Sequence, residues 1–230
     1  MSTSNNDTFS QSFTDTDRRT VIKRLAAIGL TGPAAVAALR IGEVSAEHAF
    51  VGSEEFDKTM SSILETARPK NLQKYTTFDI KPGDLPWQGI GVEVKKGQQV
   101  TVLLTGRWWL VKELDVWVEP GLAFFIRAGD QNPIFNPQAN TGTFTTEHSG
   151  ELSIARAIGE WKDKHAESVA TPEEIYTQAE GSIRGVALVW DGDPLEGLEK
   201  MQATGDVGGL IDAEITRIKT QAPTPAGWYP

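Results

Sequence analysis

Between residues 107 and 119 the chain reads Arg107-Trp108-Trp109-Leu110-Val111-Lys112-Glu113-Leu114-Asp115-Val116-Trp117-Val118-Glu119, with three tryptophans and three acids in one short segment. Indole faces stack on the apolar faces of pyranose rings and on other flat ligands, while Arg, Asp and Glu orient hydroxyls. Arg107, Trp108, Trp109, Asp115 and Trp117 are therefore the candidate ligand-binding residues. A blander alternative makes Trp108 and Trp117 core residues and leaves the acids in solvent, since large aromatics are mostly buried packing. Glu113, Asp115 and Glu119 also offer an acid and a base for glycoside hydrolysis, which needs two carboxyls roughly 5 to 10 Å apart across the scissile bond. Strand alternation would put these three acids on one face.

Other chemistries fall away on composition. With no cysteine the chain has no disulfide, no iron–sulfur cluster, no thiolate zinc site and no Cys nucleophile, and with three histidines a metal site would be oxygen-rich. No Gly-x-Ser-x-Gly elbow occurs, and His148 lies beside Glu147 without a visible nucleophile, so it reads as a loop-end surface residue. Asp191-Gly192-Asp193-Pro194 is read as a helix cap before a cation site. Gly205-Asp206-Val207-Gly208-Gly209 lacks the Lys-Ser/Thr of a phosphate loop and is read as a helix–helix turn. A formal net charge of −9 gives no basic face for phosphate backbones, which argues against nucleic acid as a partner.

The elements around the Trp-rich segment are mostly strands. Apolar content of 39% with 8% aromatics is enough for a sizeable core. Phe56, Met60, Ile63, Leu64 and Ala67 recur at helical spacing between Ser53 and Arg68-Pro69 and predict a one-faced helix. From Tyr75 the period becomes two: Phe78 and Ile80, then Ile90, Val92 and Val94, then Val100, Val102 and Leu104 beyond the turn Lys95-Lys96-Gly97-Gln98. The last two runs are expected to form a hairpin. Leu122 to Arg127, Thr141 to Thr146, Leu152 to Ala155 and Ile183 to Trp190 are further strand candidates, and Thr171-Pro172-Glu173-Glu174 predicts a helix inserted within 160–181. After Asp193-Pro194, two segments carry helical stripes, the second with Leu210, Ile211, Ile215 and Ile218. The expected organisation is thus an N-terminal helical segment over 47–74, an antiparallel β-sandwich over 75–191 and a C-terminal helical segment with a Pro-rich tail over 192–230.

Residues 1–46 read as a leader. Asp17-Arg18-Arg19-Thr20-Val21-Ile22-Lys23 resembles the twin-arginine export signal through Arg18, Arg19 and Lys23, with Asp17 where that family usually has Ser or Thr. The apolar stretch Leu25 to Leu39 is interrupted by Gly29, Thr31, Gly32 and Pro33, too short and broken for a stable span, and Val44-Ser45-Ala46 offers small residues for cleavage after Ala46. Basic residues disfavour a helix N-terminus and Gly32-Pro33 would break the helix, so an ordinary cytosolic helix fits less well. The resemblance implies export by the twin-arginine machinery and a periplasmic or secreted protein. Without residues 1–46 the chain keeps a net charge of about −10.

Within 87–155, Trp87-Gln88-Gly89-Ile90, Val94-Lys95-Lys96-Gly97-Gln98-Gln99-Val100-Thr101 and Gly106-Arg107-Trp108 open a pattern. Gly121-Leu122-Ala123-Phe124-Phe125-Ile126-Arg127-Ala128-Gly129-Asp130, Phe135-Asn136, Thr143-Phe144 and Ser149-Gly150-Glu151-Leu152 continue it. The pattern is similar to galactose-binding-like β-sandwich (jelly-roll) domains of the bacterial galactophilic lectin type. That resemblance implies a jelly-roll fold and glycan binding. It also raises calcium, but where the family has an Asn-Asp pair this chain has Ala155-Arg156-Ala157, whose side chains offer a cation no oxygen. The functional expectation is an exported, non-catalytic binding or accessory protein for carbohydrate or a similar polar ring-bearing ligand. The alternatives are an extracytoplasmic hydrolase using Glu113, Asp115 and Glu119, and a partner-binding subunit of a co-exported complex. Changing Arg18 and Arg19 together to Lys should abolish the processed extracytoplasmic form in cell fractionation, and an undiminished level would refute the leader assignment.

Overall fold

The computed structural model describes residues 39–41, 53–81, 83–84, 86–112, 116–130, 133–157, 161, 176, 179–201, 203, 205–220 and 224–225. In chain order they form β1 (Leu39–Ile41), α1 (Ser53–Ala67), β2 (Leu72–Ile80), β3 (Trp87–Val94), β4 (Gln99–Val111) and β5 (Val116–Val118). Next come α2 (Pro120–Ala123), β6 (Phe124–Ala128), β7 (Thr141–Thr145), β8 (Gly150–Arg156) and β9 (Glu180–Trp190), and last α3 (Pro194–Lys200), α4 (Gly205–Thr220) and β10 (Thr224–Pro225). Among the described residues no helix is long and apolar enough to cross a membrane.

β4 is the axis of the larger sheet. One edge pairs antiparallel with β9, from Gln99 opposite Trp190 to Trp109 opposite Glu180. The other edge is shared: β7 takes Gln99–Leu103 and β5 takes Trp108–Val111. β2 flanks β9, β1 flanks β5, and β10 runs parallel to β7, which makes seven strands. β3, β8 and β6, in that order, make the second, antiparallel sheet. The two-residue period turns Val100, Val102, Leu104, Trp108 and Leu110 of β4 inward, where they meet Val92, Val94, Phe124, Ile126, Leu152 and Ile154 of the smaller sheet. The fold is therefore an antiparallel β-sandwich with an N-terminal helix and two C-terminal helices, the class read from the sequence.

The outward residues at one end of the larger sheet are apolar too. Leu103, Val186, Leu188 and Trp190 are covered by Phe56, Met60 and Leu64 of α1, Leu198 of α3, and Val207, Leu210, Ile211 and Ile215 of α4. The helical stripes thus bury themselves on a third layer, as their periodicity predicts, with Ile218 packed at the margin. A polar chain runs through this apolar interface. Trp190 Nε1 donates to Thr101 Oγ1 (2.8 Å), Thr101 lies 2.7 Å from Thr143 Oγ1, and Thr143 donates to the fully buried Glu214 of α4 (2.5 Å). Arg217 donates to the same carboxylate through Nε (2.8 Å) and Nη2 (2.5 Å). With Thr101 donating onward, every donor points toward Glu214, so each buried hydroxyl accepts one hydrogen bond and gives one.

Several sequence expectations are corrected. The turn Lys95–Gln98 forms, with Gly97 at φ 88° and Gln98 N donating to Lys95 O (3.1 Å), yet β3 and β4 lie in different sheets. It is an arch across the sandwich rather than a hairpin, because strands facing one core from opposite sheets show the same alternation. β2 starts at Leu72, inside the segment expected to be helical. A helical turn, α2, replaces the start of the strand expected from Leu122. The Gly205–Gly209 run is the first turn of α4 and no mere connection. Most of 160–181 lies outside the described residues, but Glu180 and Gly181 already belong to β9, held extended by Trp108 and Trp109 opposite. Asp193 caps α3 as read, its Oδ1 accepting from Leu195 N (2.9 Å) with Pro194 in the first turn.

Glu214→Leu should cost about 3 to 5 kcal/mol in urea unfolding, because it strands Arg217 and Thr143 beside an apolar layer. Glu214→Leu with Arg217→Leu should cost less than Glu214→Leu alone. A double variant no more stable than that single one would show that the charges do not act as a pair.

Candidate functional site

The helices cover only one end of the larger sheet. Thr101 and Leu103 lie fully buried beneath them, and farther along the same face Arg184 of β9 forms an ion pair with Asp57 of α1. Past that pair the outward residues are Arg107 and Trp109 of β4, Trp117 of β5, and Glu180 and Ser182 of β9, all partly or fully exposed. Register makes them neighbours. Trp109 is directly opposite Trp117 on one side and Glu180 on the other, and Arg107 is opposite Ser182.

The Arg107 guanidinium lies over both indoles, its Cζ 5.0 Å from the Trp117 ring centroid and 5.9 Å from that of Trp109. Lys112, just beyond β4, places Nζ 5.8 Å from the Trp109 ring and 2.6 Å from Glu180 Oε2. Gly181, at φ 90°, lets this packing happen: a Cβ there would overlap the Arg107 carbonyl and crowd the Trp109 ring. The result is a platform of two indoles from paired strands, with a guanidinium over both and an ion pair at its rim. Ring quadrupoles favour the cations, and a stacked guanidinium directs its N–H groups along the ring plane rather than into it.

The other candidates go elsewhere. Trp108 is 1% exposed on the inner face, so it offers no surface to a ligand and takes the packing alternative weighed for it. Its ring stacks on Tyr176 (centroids 5.6 Å) and lies 5.0 Å from Arg156 Cζ. Glu113 and Asp115 lie outside the described residues. β4 ends at Val111 and β5, beginning at Val116, pairs antiparallel with it, so residues 113 and 119 do not lie on one continuous strand and the expectation of a single strand presenting Glu113, Asp115 and Glu119 on one face is corrected. Glu119 is partly buried immediately before α2. His148 is exposed in the turn between β7 and β8.

Sequence reasoning missed a buried cation. Arg156, at the end of β8, is 6% exposed and donates from Nε to Lys81 O (2.9 Å) and from Nη2 to Asp84 O (2.7 Å). Its Cζ sits 4.4 Å from the Tyr176 ring. Burial lowers its pKa from the usual guanidinium range, and the nearby Tyr176 and Asp84 oppose that shift. This is where the resemblance raised calcium. The donors do not fit a metal: the end of β8 supplies a guanidinium, and among the described residues no three His, Asp or Glu side chains converge. Also missed was a second aromatic group on the outer face of the smaller sheet. There Trp87 stacks on Trp161 (5.8 Å), Phe125 meets Trp161 edge-on (5.3 Å), and Arg127 Cζ lies 4.2 Å over Trp87. In both cases the only signal was an Arg at an inward or near-aromatic strand position, which periodicity does not distinguish from a surface charge.

Comparison with known proteins identifies no family model and no curated protein that matches the chain. Among solved structures, the N-terminal domain of EclA, described as a PllA-like lectin, aligns with 52% of this chain and 98% of its own, at 16% identity and a TM-score of 0.38. A functionally unknown conserved protein from Bacillus anthracis str. Ames aligns with 49% of this chain and 21% of its own, at 8% identity and a TM-score of 0.26. At such TM-scores neither likeness bears on the site, which stands on its own geometry.

Arg156→Met should lower stability by about 2 to 4 kcal/mol, since the Lys81 and Asp84 carbonyls lose charged donors and the rings lose the cation between them. Arg156→Lys should recover only part of that loss, because an ammonium cannot fork to both carbonyls from between two rings. Thermal and urea unfolding of the pair checks this, and a neutral Arg156→Met would contradict it.

Proposed function

We propose that the protein is an exported, non-catalytic binding protein whose Arg107–Trp109–Trp117 face receives a carbohydrate or a similar polar ring-bearing ligand. The observation that carries this proposal is the pair of indoles opposed across β4 and β5, with Arg107 against both, on the part of the sheet face that the helices leave uncovered. Indole supplies the flat apolar surface a sugar ring needs, and the cation supplies directed donors at its edge. Arg107, Lys112 and Glu180 place donors and an acceptor at the edge of the rings, the polar groups that a sugar's hydroxyls or a uronic acid's carboxylate would meet. Glu180 is ion-paired by Lys112, which suits positioning better than proton transfer. Export by the twin-arginine route, with a periplasmic or secreted destination, belongs to the same proposal and rests on Arg18, Arg19, Lys23 and Ala46.

The test is a titration of the protein with galacturonate and with galactose, followed by tryptophan fluorescence and by recovery of the sugar. Galacturonate should shift the fluorescence and be recovered intact, and Trp109→Ala or Trp117→Ala should each weaken it about tenfold, equivalent to about 1.4 kcal/mol. Consumption of the sugar would favour the hydrolase alternative. Absence of any response alongside a co-purifying protein on the same indoles would favour the partner-binding alternative.

A further inference from the structure

Among the described residues, Arg107, Arg127 and Arg156 lie against aromatic rings, and they differ in how firmly they are held. Arg156 is 6% exposed and forked between the Lys81 and Asp84 carbonyls, and Arg127 is 8% exposed with its Cζ 4.2 Å from the Trp87 centroid. Arg107 is partly exposed, and its Cζ lies 5.0 Å from the Trp117 centroid and 5.9 Å from that of Trp109, so it bridges the two indoles without centring on either. Water can take up the N–H groups of an exposed guanidinium that leaves a ring, which makes Arg107 the easiest of the three to lift. Lys112 is anchored at the rim, its Nζ 2.6 Å from Glu180 Oε2. A sugar stacks by laying its apolar face on an indole, and beside Trp109 and Trp117 the guanidinium already takes up stacking volume that both rings share.

We infer that Arg107 is a displaceable cover on the Trp109–Trp117 platform and the residue that selects its ligand. A sugar ring enters as the guanidinium moves from ring face to ring edge, and a carboxylated sugar drives that exchange better than a neutral one. The selection rests on the carbohydrate binding proposed above, whereas the cover rests on the ring geometry alone. Moving aside costs the protein its cation–ring contacts with both indoles. A carboxylate on the incoming ring replaces them with paired, charge-assisted hydrogen bonds to the planar fork, and a hydroxyl replaces them with a single bond to a neutral acceptor. In the free protein the same guanidinium reduces the apolar patch that two neighbouring indoles would otherwise present. Arg107 therefore discriminates by difference: it obstructs every ring and compensates only the one that carries an anion.

The test compares the full chain with its Arg107→Ala and Arg107→Lys variants. Acrylamide quenching of tryptophan fluorescence should rise in Arg107→Ala, and the rise should vanish when Trp109→Phe and Trp117→Phe are added. Galactose should bind Arg107→Ala at least threefold more tightly than the unsubstituted chain, and galacturonate at least threefold more weakly, so the two sugars move in opposite directions. Should Arg107→Ala fail to fold, Arg107→Lys carries the test: it keeps the charge but loses the planar fork, so the preference for galacturonate over galactose should fall at least threefold. In the unsubstituted chain the Arg107 Nε–H resonance, assigned by its loss in either variant, should move downfield as galacturonate saturates the protein and the guanidinium leaves the shielding of the indoles. Unchanged quenching in Arg107→Ala would overturn the inference, as would both sugars moving in the same direction, or galacturonate binding without a shift of that resonance. Increased quenching in chains that bind neither sugar would sink the carbohydrate proposal, and the selection with it, and leave the cover by Arg107 supported.

Discussion

The pairing of β4 with β9 from Gln99–Trp190 to Trp109–Glu180 is the constraint on which the other elements depend. Eleven residues of strand run about 36 Å, at roughly 3.3 Å each, whereas the fifteen-residue α1 reaches only about 22 Å at roughly 1.5 Å per residue. The smaller sheet covers one face of this ladder through Val100, Val102, Leu104 and Trp108. The helices cover the other face as far as Leu103 and Val186, and the Arg184–Asp57 ion pair marks where that cover stops. The outward positions Thr101, Leu103, Val186, Leu188 and Trp190 on the covered side are apolar or hydrogen-bonded within the protein, and those past the pair are aromatic, charged or, at Ser182, hydroxyl-bearing. The candidate site is thus the remainder of a surface that the helical layer is too short to bury.

Charge in this acidic chain is disposed with unusual economy around rings. Arg107, Lys112, Arg127 and Arg156 all lie within 6 Å of a Trp or Tyr ring centroid, at 4.2 to 5.9 Å. Each such contact is worth on the order of 0.5 to 2 kcal/mol, rising with desolvation. The depth differs and so does the consequence. Arg156 is buried with two carbonyl acceptors and pins the β2–β3 loop and Tyr176 to the end of the sandwich, a structural role. Arg107 has the same chemistry at a partly exposed position, where a ligand can share its ring platform.

The buried anion follows the same logic in reverse. Glu214 is fully buried in the layer between α4 and the sheet, compensated by Arg217 and by a line of hydroxyls that ends at the Trp190 indole. An apolar stripe alone would let α4 slide or rotate on the sheet. A carboxylate on α4 that must meet Thr143 of β7 admits one register, and Arg217 one turn along the same helix compensates its charge. The edges of the same sheet are finished by short strands, β1 beside β5 and β10 beside β7, the latter carrying Pro225, which an edge tolerates and an interior strand does not.

What the sequence determined by itself is whatever short-range physics dictates. The helical stripes of α1 and α4, the two-residue period of the strands, the Gly97 turn and the Asp193-Pro194 cap are each set by neighbours within a few residues, and each was legible. Class of fold followed from their order. Pairing did not, because β3 and β4 flank a tight turn yet find partners some 60 to 90 residues away in β8 and β9, and alternation is blind to which sheet a strand joins. The site was half legible for the same reason. Adjacent Trp108 and Trp109 had to point to opposite faces, but only the position of the second sheet decided that Trp108 is core and Trp109 is platform. Arg40, Trp117, Trp109 and Glu180 come from four separated segments, and tertiary register alone puts them in one row.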